Sequence, residues 1–428
     1  MEFFLIIIFL FLLILGIPIV FVIGLTVIAY IQFTGITFSL LIQQLFVGVD
    51  KFVLMSVPFF MLAGNLMNAG GLTKRLIRFV NAMVGSLRGG LAYVNILVSM
   101  IFAGITGSAT ADTSSIGSIL IPAMKEEGYS VDFSAAVTAA SSTIGGIIPP
   151  SIPFVIYAVI AGNVSVAGLF IGGFIPGILI GLVQMSLVRF WFVKKCPQPL
   201  RIEKTSFKNL GKEAKDAILA LVMPIIIIGG ILSGTFTPTE ASAIACVYAL
   251  IVSFFVYKEL KLSDLPKIFL DSAITTGACF LIVGIAQPFG WMLTVERIPV
   301  KIMEFVLSLT SNPNIILLLI IIILLFLGTF METIAAIIVI TPVLLPLSKS
   351  MGFSPIHFGI IVSLAIYIGL TTPPVGICLY IASSIAKISL ERITKAIFPF
   401  IIGLVIVLLL VAYIPQITLF LPTLFGYK

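Results

Sequence analysis

Charge is what this sequence is short of. Of its 428 residues, 24 are Lys or Arg and 17 are Asp or Glu, so 10% of the chain is charged, whereas a soluble globular protein carries about 25%. That deficit excludes a soluble enzyme. There is one histidine, His357, and there are four cysteines, Cys196, Cys246, Cys279 and Cys378, far apart and without a C-x-x-C. Neither a metal cluster nor a disulfide framework is indicated, and no cofactor is expected. The absence of G-x-x-x-x-G-K-[ST] removes the phosphate cradle of a nucleotide-driven pump. Alternation of apolar and polar residues is missing too: a run such as Ile315 to Leu327 is apolar on every face, unlike a transmembrane barrel strand.

What the chain has in abundance is hydrophobic residues, 60% of the total, for a mean hydropathy of +1.27. At about 20 apolar residues per crossing, roughly ten to twelve segments are available, which predicts an all-α polytopic protein of the lipid bilayer. The first apolar stretch, from Phe3 to about Tyr30, lacks a basic leader and an A-x-A pattern, so it predicts a retained span. Further segments fall roughly at 52–69, 91–107, 113–124, 131–161, 166–193, 217–234, 239–257, 276–294, 314–328, 333–348, 355–386 and 396–414.

The net charge of +7 invites a nucleic-acid reading, which the placement of the charges removes. With the basic linker 194–216 (Lys194, Lys195, Arg201, Lys204, Lys208, Lys212, Lys215) set in the cytoplasm, alternation puts eighteen basic residues inside and five outside. The N-terminus is then predicted cytoplasmic and the C-terminus external. Residues 73–86, 264–273 and 297–309 mix charged and apolar residues at helical spacing, which predicts interfacial helices.

An internal match at an offset of 224 residues organises the rest. Pro122, Lys125, Gly128, Ser130, Gly145, Pro149 and Pro150 meet Pro346, Lys349, Gly352, Ser354, Gly369, Pro373 and Pro374, and five of these seven are Gly or Pro. Two repeats, 1–193 and 217–428, are predicted, inverted because their short segment pairs enter from opposite sides. The pairs, at about 91–124 and 314–348, read as re-entrant hairpins too short to cross. In the following segments, 131–161 and 355–386, Gly145-Gly146-Ile147-Ile148-Pro149-Pro150 and Gly369-Leu370-Thr371-Thr372-Pro373-Pro374 interrupt the helix, because proline removes a donor and clashes with the preceding turn. Carbonyls freed at membrane depth need a partner, and a cation can serve; broken helices in inverted repeats are where transporters hold ions and anions.

Two acids are stranded in apolar sequence. The nearest charged residues along the chain are Arg88 and Lys125 for Asp112, and Glu304 and Lys349 for Glu332. Isolated intramembrane acids default to a functional role, with a cap or a structural hydrogen bond as the alternative. Glu240, in Thr237-Pro238-Thr239-Glu240, is a third candidate at the end of a span.

The run GSATADTSSIGSILIPAMKEEGYSVDFSAAVTAASSTIGGIIPPSIPFVIYA from Gly107 and the later HFGIIVSLAIYIGLTTPPVG resemble the signature stretches of the large membrane subunit of tripartite ATP-independent periplasmic (TRAP) transporters. AGNLMNAGGLTKRL from Ala63 and the closing LPTLFG extend the resemblance over nearly the whole chain. It implies an elevator-type ion transporter fold in the bacterial inner membrane and sodium-coupled symport of an organic acid anion. The implied partners are a separate small four-helix membrane subunit and a periplasmic substrate-binding protein. One sodium site is implied between the first turn and break (Ser108, Gly145, Ile148, Pro150) and a second between the second turn and break (Gly328, Thr329, Gly369, Thr372). Substrate is expected between them, near Asp112, Thr113, Ser114, Ser142 and Glu332. The hydroxyls of Thr110, Thr113, Ser114 and Ser115 would suit sialic acid, or could equally cap helices; a C4-dicarboxylate is the other expected cargo. The rival classes are a passive anion channel and an intramembrane protease, the latter disfavoured by the single His357 and the lack of Gly-x-Gly-Asp.

Overall fold

The computed structural model describes residues 2–162, 164–192 and 207–427. Among these residues every regular element is helical and no strand occurs. The part of the basic linker up to residue 206, Cys196 included, lies outside the described residues.

The stretch read as one initial span is two helices, α1 (Glu2–Ile14) and α2 (Ile19–Thr34). Gly16 at φ +75° and Pro18, which has no N–H to donate, end the helical ladder between them. A helix missing from the sequence expectation, α3 (Phe38–Val49), follows. A 3-10 turn at Phe52–Met55 then leads into α4 (Ser56–Ala69). The expected interfacial helix at 73–86 is α5 (Leu72–Val84), which buries Leu72, Leu76 and Val80 and exposes Lys74 and Arg78.

The first hairpin consists of α6 (Gly90–Thr106) and α7 (Ala109–Glu126). The first broken helix is α8 (Val131–Ser142), a 3-10 turn at Thr143–Gly146, and α9 (Ile152–Ala161). Next come α10 (Val166–Leu187), α11 (Phe207–Leu232) and α12 (Pro238–Ile251).

The segments expected as a separate interfacial helix at 264–273 and a span at 276–294 are one 31-residue helix, α13 (Leu265–Val295). Its first proline, Pro266, sits in the opening turn where no intrahelical donor is lost, and neither Gly nor Pro lies between Lys267 and Thr276. The third expected interfacial helix is α14 (Ile298–Leu309).

The second hairpin is α15 (Pro313–Phe330) with α16 (Thr333–Ser350), and the second broken helix is α17 (Pro355–Gly369) with α18 (Ile377–Ala386). The chain closes with α19 (Leu390–Tyr413) and α20 (Gln416–Leu424). A shift of 224 residues carries the bounds of α7 onto those of α16.

The hairpin arms are longer than the sequence suggested. They run 17, 18, 18 and 18 residues, about 26 Å each at 1.5 Å per residue. Arms α15 and α16 are among eight described helices long and apolar enough to cross a membrane. Length therefore does not make them re-entrant. Their distinguishing property is the connection: two residues, Gly107 and Ser108, join α6 to α7, and two, Met331 and Glu332, join α15 to α16.

The broken helices form the centre. Every residue of α17 from Ile356 to Gly369, and of α8 from Phe133 to Ser142, is buried. The hairpins clasp them crosswise: α7 packs on α8 and on α18 of the other half, while α16 packs on α17 and on α9. Two tyrosines brace the halves. The Tyr157 hydroxyl donates to the Pro355 carbonyl at 2.9 Å and its ring covers Gly359; the Tyr367 hydroxyl donates to the Gly107 carbonyl at 3.4 Å and its ring covers Gly146. A second group, α4 with α12, α5 with α11, and α2 and α3 with α13, flanks this body.

Candidate substrate and ion site between the hairpin turns

The first hairpin turn is pressed against the first helix break. Gly107, at φ +61°, ends α6, and a Cβ there would lie 2.8 Å from the Pro150 carbonyl oxygen. Ser108 caps α7: its Oγ accepts from Ala111 N at 3.5 Å and lies 3.1 Å from Thr110 Oγ1. One turn on, the buried stripe of α7 (Ala109, Asp112, Thr113, Ile116) faces α6 and α8, at the three- and four-residue spacing of one helix face. Asp112 is fully buried; Thr106 Oγ1 donates to its Oδ1, while Oδ2 has no hydrogen-bond partner among the described residues. Oδ2 occupies the space over Gly145, where a Cβ would fall 2.1 Å from it and 3.4 Å from the Ser108 carbonyl oxygen. The Pro149–Pro150 bond is cis, and Ser151 restarts the helix, accepting from Phe154 N at 3.3 Å and donating to the Gly146 carbonyl at 2.6 Å. A carboxyl oxygen without a hydrogen-bond partner among the described residues and main-chain oxygens thus meet at one buried spot. Hard oxygen ligands of this kind suit a small cation.

The second turn meets the second break through glycines. A Cβ on Gly369 would lie 2.4 Å from the Gly328 carbonyl carbon, and one on Gly328 would lie 2.8 Å from the Ile366 oxygen. Gly376 N donates to the Thr329 carbonyl at 3.1 Å. The hydroxyls of Thr329 and Thr372 donate to the carbonyls of Phe326 and Ile368 at 2.8 and 2.7 Å. Glu332 is the N-cap of α16, accepting from Ile334 N at 2.9 Å and Ala335 N at 3.3 Å.

A cavity of about 330 Å³ lies between the two turns. Ser108 and Thr110 line it from the first hairpin, Glu332 and Thr333 from the second, and Tyr367 and Leu370 from the second broken helix. Its far wall is Met61 of α4 with Thr275 and Cys279 of α13. The N-termini of α7 and α16 both open on this space, where their partial positive charge favours an anion.

The sequence-predicted residues divide. Glu332 and Ser108 line the cavity. Asp112, Thr113 and Ser142 are buried outside its wall; the hydroxyls of the last two donate to the carbonyls of Ala109 and Thr138, both at 2.8 Å. Ser114 is exposed and does not line it either. Among the proposed ion ligands, the structure brings Ser108 to Gly145, and Gly328 with Thr329 to the break after Gly369. Met61, Thr275, Cys279 and Tyr367 carry no motif, and only the packing of distant helices reveals them.

Comparison with known proteins bears on this geometry at two levels. In fold, the chain matches the crystal structure of the YdaH transporter of Alcanivorax borkumensis with a TM-score of 0.63 over 91% of this chain and 88% of that one, at 13% identity. The chain thus shares the helical fold of that protein. In sequence, residues 6–417 match the family described as the tripartite ATP-independent periplasmic transporter, DctM component. The chain belongs to this family of transporter permeases, which are not enzymes. It is 41% identical over 92% of its length to the sialic acid TRAP transporter large permease protein SiaM of Vibrio cholerae, covering 91% of that protein. It is 40% identical over 90% of its length to the C4-dicarboxylate TRAP transporter large permease protein DctM of Pseudomonas aeruginosa, covering 89% of that one.

Proposed function

We propose that the protein is the large membrane subunit of a sodium-coupled symporter for an organic acid anion, and that the cavity between the hairpin turns holds the cargo. The observation that carries the coupling is the unpartnered Oδ2 of Asp112 beside Gly145 and the Ser108 carbonyl. A sodium ion there would satisfy the carboxylate and tie the first turn to the first break, with the carbonyls of Ile148 and Pro150 completing the shell. A second ion would lie where Gly328 and Thr329 meet Gly369 and Thr372. Cargo and ions then share one body made of the hairpins and broken helices.

That body is the moving part of an elevator, sliding along α4 and α13. The chain consists of two inverted repeats, 1–193 and 217–428, each giving one hairpin and one broken helix to that body, with the linker 194–216 in the cytoplasm of a bacterial inner membrane. Cargo arrives from a periplasmic binding protein, and a separate small membrane subunit supports the static group.

The cavity lining favours a polyhydroxylated acid such as sialic acid over a C4-dicarboxylate. Among the described residues it offers the hydroxyls of Ser108, Thr110, Thr275 and Thr333 and no Lys or Arg, so a second carboxylate would find no cationic side chain there. The test is uptake into proteoliposomes containing both membrane subunits and the binding protein under an imposed sodium gradient. Accumulation of N-acetylneuraminate above its outside concentration supports the reading. Equilibration without accumulation makes the protein a passive channel, and accumulation of succinate alone reassigns the cargo.

A further inference from the structure

A second cavity, of about 460 Å³, is lined by residues of α3, α9, α13 and α16, and nothing described above uses it. It shares three helices with the first. Along α13, Thr275, Cys279 and Ile282 face the central cavity, and Ala286, Gly290 and Thr294 face the second. These six positions are three or four residues apart, so one continuous helix face serves both spaces. The same handover occurs on α16, from Ala335 to Pro342, about 10 Å further along the helix. It occurs again on α9, from Pro153 to Val159. Three elements therefore line both cavities.

The chemistry of the second chamber differs from that of the first. Among the described residues no ionisable side chain lines it. Its polar groups are the carboxamides of Gln44 and Gln287, the indole of Trp291 and the hydroxyl of Thr294, the last donating to the Gly290 carbonyl at 2.8 Å. Neither carboxamide is hydrogen-bonded among the described residues, although both are half-buried. Both carboxamides are therefore open to pairing with solvent or a ligand. The crossing that positions them is close: a Cβ on Gly48 of α3 would lie 2.9 Å from Gln287 Cβ and 3.2 Å from the Gly284 oxygen of α13. Only glycine permits α3 to bring Gln44 to the chamber at this distance.

We propose that this chamber is a separate binding site for the uncharged, hydrogen-bonding portion of the same cargo, occupied before or after the central site. Each carboxamide both donates and accepts, and so matches hydroxyl and N-acyl groups, while the N-termini of α7 and α16 leave the carboxylate to the central cavity. The proposal rests on the organic-acid reading. With the Thr294 end of α13 external, as the charge distribution has it, the chamber lies on the approach from the outer side.

The test uses both membrane subunits in proteoliposomes, with Cys196, Cys246, Cys279 and Cys378 replaced by Ser and one thiol introduced by Gln287→Cys. Gln44→Cys, on the peripheral α3, repeats the measurement if the first variant folds poorly. Modification by a membrane-impermeant thiosulfonate is followed with and without N-acetylneuraminate. The expected result is ready modification, slowed about tenfold by saturating acid, with the protection retained when Ala278→Trp fills the central cavity. An unreactive thiol, modification indifferent to the acid, or protection lost with Ala278→Trp each overturns the proposal. If uptake of the acid proceeds while protection is absent, this site alone falls. If neither N-acetylneuraminate nor succinate is taken up, the organic-acid reading falls with it.

Discussion

At the scale of single residues, the site turns on one carboxylate atom. Asp112 Oδ1 is satisfied by Thr106, while Oδ2 faces Gly145 with no protein partner. Asp112→Asn keeps the shape and removes the charge. Sodium-driven uptake should fall at least about tenfold, the scale on which a charge-assisted ligand is lost, while membrane insertion and detergent-solubilised monodispersity stay intact; wild-type uptake would return Asp112 to a structural role. Gly145→Ala approaches the same spot from the other side, since its Cβ would fall 2.1 Å from Oδ2. A sodium titration of uptake should show a comparable loss. The sequence marked Asp112 as exceptional by its isolation, but not which way it points. That depends on the register of the α7 stripe, which puts Asp112 and Thr113 inside and Ser114 outside. The hydroxyls of Thr113 and Ser142, expected at the substrate, serve their own helices instead because each can reach the carbonyl four residues back.

At the scale of elements, the interest lies in how hairpins and broken helices are locked together. Gly146 is covered by the Tyr367 ring, and a Cβ there would fall 1.8 Å from Tyr367 Cζ. The ring is 2% exposed. Gly146→Ala should cost about 1–3 kcal/mol by overpacking, seen as a lowered melting temperature of the purified protein. The Arg392–Asp132 ion pair between α19 and α8 is a contrasting tie. At 2.7 Å its geometry is good, but Arg392 is 59% exposed. Arg392→Ala should therefore change stability by no more than about 1 kcal/mol, and a large shift in the same melting assay would contradict that. The element boundaries were legible wherever Gly or Pro stood in a long apolar run, as at both breaks. They were misread where the apolar pattern ran through a break, as at Gly16–Pro18, or where charges near Lys267 suggested an end that no helix-breaking residue enforces.

At the scale of the whole molecule, the central cavity joins parts of two groups: the hairpins and broken helices on one side, α4 and α13 on the other. If the first group slides on the second, that wall must separate during transport. A thiol-bridging reagent linking Cys279 of α13 to an Ala335→Cys variant on α16 should stop uptake, and a reductant that cleaves the bridge should restore it. Full uptake by the bridged protein would rule out sliding at this wall.

The sequence by itself determined the membrane setting, the helical class and the positions of both turns and breaks. Those follow from local causes: too little charge for solvent, apolar runs of spanning length, and Gly and Pro where a helix cannot continue. Only the tertiary structure decided which groups share a site. Ser108, Glu332, Tyr367 and Cys279 lie on four different elements and meet at one cavity, and the carboxamides of Gln44 and Gln287 meet at another. No local pattern encodes such meetings, because they arise from the crosswise packing of buried helices whose apolar faces look alike in sequence.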